Sequence, residues 1–147
     1  LGTQVRDKDA IITSLAICKM VSDYKSKGKD LLVVLNEIYH KFGGFENKLL
    51  TYEFKGCKAM GNFMVSLRKI KSESFLSKKL VKITDYKYQE TGLPKSDVIS
   101  FDLENDINIV IRPSGTEPLL KIYLAAPNKS EIDILERQVN ALIKEWR

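Results

Sequence analysis

The stretch Ile107-Asn108-Ile109-Val110-Ile111, then Arg112-Pro113-Ser114-Gly115-Thr116-Glu117-Pro118, then Leu119-Leu120-Lys121-Ile122-Tyr123-Leu124 decides how the chain is read. The outer runs are rich in β-branched and large apolar residues and read as two strands. The middle is small, polar and bracketed by prolines. A loop of this kind between two strands can leave backbone N–H groups unpaired and aimed at one spot, which is how main chain binds anions, phosphate above all. Arg112 adds a planar fork that matches phosphate oxygens bidentately. Ser114 and Thr116 add hydroxyl donors. Gly115 has no Cβ, so a ligand can approach the backbone closely. Pro113 and Pro118 fix φ on either side. Glu117 suits an anion site only if its carboxylate turns away or pairs with a cation. The same composition also serves a plain hairpin turn, and the residues alone leave the two readings open.

Upstream, Leu49 to Phe54, Leu80 to Tyr86 and Val98 to Leu103 read as further strands. Asn105-Asp106 makes a tight turn before Ile107, and Gly92-Leu93-Pro94 makes another. Helical spacing predicts a helix from about Cys57 to Ile70, with Met60, Phe63, Met64 and Leu67 on its core side. Lys71 to Ser77 reads as a polar loop. A last helix carries Ile132, Leu135, Val139, Leu142, Ile143 and Trp146, with Ser130 and Asp133 as a weak capping box. Strands with segregated helices imply an α+β fold, an antiparallel sheet covered on one face. This unit is expected to span residues 45–147.

Residues 1–44 read differently. Asp7 or Asp9 caps a helix running to about Lys27, ahead of Gly28. A second helix runs from Asp30 with Leu31, Leu35, Ile38 and Phe42 as one stripe, and Gly43-Gly44 stops it. Two helices cannot bury both apolar stripes by themselves, so a missing partner is implied and exposed apolar surface is expected here. The chain opens on Leu1-Gly2-Thr3 rather than Met, and the expectation is a piece of a longer polypeptide.

The chain has 147 residues, 44% hydrophobic and 29% charged, with a net charge of +5. These are ordinary values for a globular protein. No apolar run approaches the roughly 18 residues of a membrane span, so no membrane partner is expected. The basic residues are dispersed, which fits a solvated face or attraction of a phosphorylated ligand. No aromatic-rich strand of RNA-recognition type accompanies them, so nucleic acid is not expected as a partner. Cys18 and Cys57 lack metal-site spacing and read as free thiols packed as small hydrophobes, which fits a cytoplasmic origin. His40, the sole histidine, sits near a helix end, where a cation suits the dipole. It is given no catalytic role.

Arg112 to Pro118 resembles the phosphate-binding loop of the α-D-phosphohexomutases, the phosphoglucomutase and phosphomannomutase superfamily. Gly2 to Ala10 resembles the segment after the sugar-recognition loop of their third domain. Tyr24 to Lys29 with Leu31-Leu32 resembles the helix pair that follows, and Pro94 to Val98 the approach to the last strands. The likeness is nearest to bacterial phosphoglucomutases. It implies that residues 1–44 are the C-terminal helices of an incomplete α/β third domain. It also implies that residues 45–147 are the C-terminal phosphate-binding domain, with a TATA-binding-protein-like sheet.

The activity implied is interconversion of hexose 1-phosphate and hexose 6-phosphate through a phosphoserine and a bisphosphate intermediate. In that scheme Arg112, Ser114, Gly115, Thr116 and Lys121 hold the phosphate that is not reacting. Lys8 of the Arg-x-Lys-Asp pattern acts at the sugar, as a catalytic lysine that positions a hydroxyl or moves its proton. Leu119 departs from the pattern, since relatives often carry lysine there, and Gln4 stands where many carry His. Mg²⁺ is implied as cofactor, with ligands outside this chain, and glucose 1,6-bisphosphate as intermediate or activator. The implied partners are the phosphosugar substrate and upstream domains of the same polypeptide, and the piece alone is expected to be inactive. A mutase for mannose, glucosamine or pentose phosphates, or a non-enzymatic anion- or nucleic-acid-binding module, remains as the alternative.

Overall fold

The structure is a computed structural model that describes residues 9–146. The chain divides at Gly44/Phe45 into two compact units.

The first unit holds α1 (Ala10–Lys25) and α2 (Leu31–Phe42). Asp9 caps α1, its carboxylate accepting from the N–H groups of Ile11 and Ile12, both at 3.0 Å. These bonds satisfy two of the donors that a helix start leaves open. Asp30 does the same for α2 through Val33 N–H at 2.9 Å. Gly28 takes a left-handed φ of 71° just past α1, a turn that glycine makes without steric cost. Neither helix finds a core here: α1 buries no residue and α2 buries only Val34. Ile11 is 76% exposed and Phe42 71% exposed. The stripe expected to face a core, Leu35, Ile38 and Phe42, lies open. Cys18 and Cys57 are free but exposed. The expectation of packed thiols is therefore corrected: Cys18 lies on an uncovered helix and Cys57 on the outer edge of its first turn.

The second unit is α+β. It contains β1 (Glu46–Glu53), α3 (Cys57–Arg68), β2 (Ser74–Phe75), β3 (Lys78–Asp85), β4 (Ile99–Leu103), β5 (Ile107–Pro113), β6 (Leu119–Ala126) and α4 (Lys129–Lys144). The six strands form one sheet in the order β1-β6-β5-β4-β3-β2, with every neighbouring pair antiparallel. Alternation along β5 and β6 sends Ile107, Ile109, Ile111, Leu120, Ile122 and Leu124 into one core. Onto that face pack Met60, Phe63, Met64 and Leu67 of α3 and Ile132, Leu135, Val139 and Ile143 of α4. Phe63 meets Phe54 at 5.6 Å between ring centroids and Trp146 edge-on at 5.5 Å, contacts worth about 0.5–1.5 kcal/mol each beyond their burial. Among the described residues of this unit, no helix packs on the opposite face of the sheet.

Two local features differ from the sequence reading. The stretch expected as a loop, 71–77, contains β2, which turns into β3 through Leu76 and Ser77, with φ of 47° and 57°. A two-residue turn with both φ values positive matches the twist of a hairpin, but Asn-Gly usually announces it. Leu76 accepts that backbone because it packs against the core, while Phe75 stacks on Phe101 with centroids 4.2 Å apart. The cap of α4 is Asn128, whose side chain accepts from Glu131 N–H at 3.0 Å, not Ser130. Asn128 has the extended backbone a cap needs (φ −153°, ψ 162°), and Ser130 already lies inside the helix.

Candidate functional site

The loop at 114–118 joins β5 to β6 and is built from the sheet upward. Arg112 stands opposite Lys121 and Pro113 opposite Leu120 in the ladder, so β5 runs two residues further than the sequence suggests. Ser114 N–H donates to Leu119 C=O at 2.8 Å and closes the base. Phe54 N–H donates to Pro118 C=O at 2.9 Å, fastening the exit of the loop to the end of β1. Between these ties, the N–H groups of Gly115, Thr116 and Glu117 have no acceptor among the described residues. Consecutive unpaired amides in a tight loop are open to water or to an anion.

The side chains divide by the pleat. Arg112 and Lys121 lie on the uncovered face of the sheet, directly across from each other, and Thr51 of β1 stands next to Lys121 in register. Like charges directly opposite cost energy in a sheet, and neither Arg112 nor Lys121 has a carboxylate partner among the described residues. An anion between them would convert that repulsion into two charge-assisted hydrogen bonds. Ser114, Thr116 and Glu117 are likewise without side-chain partners among the described residues. A Cβ added at Gly115 would meet nothing within 4 Å. No other part of the described chain therefore demands glycine there. Lys8, together with Gln4, Arg6 and Asp7, lies outside the described residues.

Sequence reasoning missed Thr51, because only the β1–β6 register brings it beside the loop. It also missed a charged tie at the far end of the sheet. Arg68, at the end of α3, donates through Nε to Asp85 Oδ2 at 2.9 Å and through Nη2 to Asp97. Its guanidinium lies 5.4 Å from the Tyr88 ring centroid. Burial works against the charge of Arg68. The hydrogen bonds and charges of Asp85 and Asp97 outweigh it and hold the pKa above its ordinary value. No local pattern signals this tie, since its members are distant in sequence. Among the described residues there is no group of three His, Cys, Asp or Glu able to hold a metal, and no helix long and apolar enough to cross a membrane.

A six-stranded antiparallel sheet with two helices on one face, and a basic loop with three unpaired amides between its β5 and β6 strands, defines an α+β domain. Residues 70–142, which include that loop, match the family described as phosphoglucomutase/phosphomannomutase, C-terminal domain. A phosphoglucomutase of Staphylococcus aureus is 33% identical, covering 95% of this chain and 27% of the relative. One of Staphylococcus epidermidis is 30% identical, covering 95% and 28%. A probable phosphomannomutase of Haemophilus influenzae is 30% identical, covering 88% and 26%. The crystal structure of the exocytosis-sensitive phosphoprotein pp63/parafusin, a phosphoglucomutase from Paramecium in its open form, superposes with a TM-score of 0.58. It is 22% identical, covers 83% of this chain and 23% of that one, and supports the fold. The chain belongs to the phosphohexomutase superfamily as a C-terminal part, and it spans about a quarter of the length of the curated relatives it matches.

Proposed function

We propose that this chain is the C-terminal part of a phosphoglucomutase-type enzyme that interconverts hexose 1-phosphate and hexose 6-phosphate, and that its 114–118 loop clamps the phosphate that is not reacting. The observation that carries the reading is the combination at one loop base: free amides at Gly115, Thr116 and Glu117, and the partnerless pair Arg112 and Lys121 opposed on one rung. Hydroxyls of Ser114 and Thr116 complete the donor set. All of these are donors, which suits an acceptor-only dianion. Glu117 is exposed and free to turn outward.

A clamp remote from the reacting end supplies binding energy that orients the other end. Because the sugar must present either phosphate, a loop that reads phosphate and not ring hydroxyls fits the task. The bisphosphate intermediate, glucose 1,6-bisphosphate, is a ligand the same loop can hold at either end. In this reading the phosphoserine and the loop that selects the sugar lie elsewhere in the polypeptide. Lys8 positions a sugar hydroxyl or moves its proton. Residues 1–44 are the closing helices of an α/β domain. Mg²⁺ would offset charge at the phosphoserine. The described residues offer it no ligand set. A cytoplasmic setting and a phosphosugar substrate go with this reading.

The test is Arg112→Ala in the whole enzyme. Removing charge-assisted hydrogen bonds of about 1.5–3 kcal/mol lowers kcat/KM by roughly one to two orders of magnitude. Unchanged kcat/KM ends the clamp assignment. The 147-residue chain by itself is expected to show no turnover.

A further inference from the structure

The face of the sheet that bears Arg112 and Lys121 also holds a concavity whose lining includes none of residues 112–121, although Val110 on its floor is two residues from Arg112 along β5. Its floor is two rungs of the ladder: Thr84, Ser100 and Val110 on one, Lys82, Asp102 and Asn108 on the next. Its wall is the connection from β3 to β4, including Tyr86 and Gln89, and the volume of this half-open hollow is about 610 Å³. That lies within the range of small-molecule sites. The wall is anchored: Arg68 ties both of its ends, at Asp85 and Asp97. Tyr86 pairs its backbone with Val98 and Ser96.

The floor is prepared in a way its own fold does not require. Ser100 is 6% exposed, the sole buried polar residue among those described. Asn108 spends its amide donors on Ser100 Oγ at 2.9 Å and Asp102 Oδ1 at 2.6 Å. That fixes the amide and leaves its carbonyl oxygen, the second Asp102 oxygen and the Ser100 hydroxyl proton unused among the described residues. Gln89 Oε1 accepts from Asp85 N–H at 3.2 Å, which leaves its amino group as a free donor. Lys82 faces Asp102 in register, yet the two form no ion pair. Glu90, on the wall, is already paired with Lys95 at 2.6 Å.

Charge and donor pattern together select the ligand class. The charges at the cavity cancel, unlike the all-donor loop. An acceptor-only phosphate would meet the Asp102 carboxylate, and an ammonium would meet Lys82. Interleaved donors and acceptors suit groups that are both at once, which are hydroxyls. Vicinal hydroxyls can bridge Asp102 and Asn108, with the Tyr86 ring offering an apolar surface. We infer that this cavity is a binding site for a neutral, non-phosphorylated sugar, separate from the phosphate loop.

The experiment titrates the ¹⁵N-labelled chain with maltose and, separately, with inorganic phosphate. Maltose is expected to move the Ser100, Asp102 and Asn108 backbone amides and the Asn108 and Gln89 side-chain amides saturably, leaving Gly115 and Thr116 in place. Asp102→Ala, and Lys82→Ala at an exposed position that leaves the fold intact, are read by the same titration. A roughly tenfold or greater loss of maltose affinity in either folded variant, the scale of one hydrogen bond to a charged group, supports the site. Absence of saturable shifts in the cavity, unchanged affinity in both variants, or phosphate moving the cavity resonances overturns it. A failure here leaves the Arg112 test of the loop untouched.

Discussion

α1 and α4 are both 16 residues long, and α2 and α3 are both 12. α3 and α4 each bury four apolar residues, whereas α1 buries none and α2 one. Capping does not explain the contrast: Asp9 and Asp30 cap α1 and α2 with a side-chain oxygen as Asn128 caps α4, while the buried α3 starts at Gly56 without one. They differ in whether a sheet receives them. Local chemistry starts and stops a helix, but most of a helix's stability in a protein comes from packing an apolar face. The first unit has the local chemistry without that receiving surface, and the second has both.

The largest effect expected from this contrast is at Phe63. Phe63→Ala removes a fully buried ring that touches Phe54 and Trp146, and it should cost about 3–5 kcal/mol in chemical denaturation. Leu15→Ala, in α1 and 65% exposed, should stay within about 0.5 kcal/mol. Comparable losses at the two positions would break the comparison, because they would mean that the α1 face is covered.

Next comes the tie at Arg68. Arg68→Ala leaves Asp85, whose side chain is 14% exposed, without its cation. The expected loss is about 2 kcal/mol, between the ranges for exposed and buried pairs. Proteolysis should become faster within 86–98. The Arg68 pKa is raised, so its stabilisation is complete below the ordinary arginine range and disappears only above the still higher folded value. The Arg68 contribution should therefore be flat from about pH 5 to 9. A loss of the Arg68→Ala difference within that window would show that the tie is not what stabilises the wall.

Smaller effects are local. Asp9→Ala should cost about 1 kcal/mol of α1 stability, read as lost helical ellipticity with the unfolding midpoint of the second unit unchanged. A shift of that midpoint would couple the two units. Smallest, Ser77→Gly relieves a left-handed backbone at φ 57° and should raise stability by roughly 0.5 kcal/mol, since the extra freedom of glycine in the unfolded chain offsets part of the gain. A loss would mean that Ser77 contributes a contact the backbone strain conceals.

Much of the second unit was legible in the sequence because its signals are periodic. The α3 stripe Met60, Phe63, Met64 and Leu67 is buried as its spacing predicts. Asn105 and Asp106 turn β4 into β5 with φ of 59° and 56°, a conformation their short polar side chains tolerate. The β2–β3 hairpin was not legible, because Leu76-Ser77 lacks the usual turn residues and is held by packing. The α4 cap was misplaced by two residues, since a serine near the helix start resembles a cap until backbone geometry shows which residue is extended. For the candidate site, the loop was visible as a contiguous motif. The opposition of Arg112 and Lys121, and Thr51 beside them, was not.

By itself the sequence determined what depends on neighbours along the chain: helix starts, strand alternation, and a short polar loop between two apolar runs. Only the tertiary structure decided which strands lie side by side. That choice sets which charges oppose each other on the open face, which polar groups line one hollow, and which helices have a core to rest on. The physical reason is that register and burial join residues far apart in sequence. No local preference encodes such pairings, because their energy exists only once the sheet has formed.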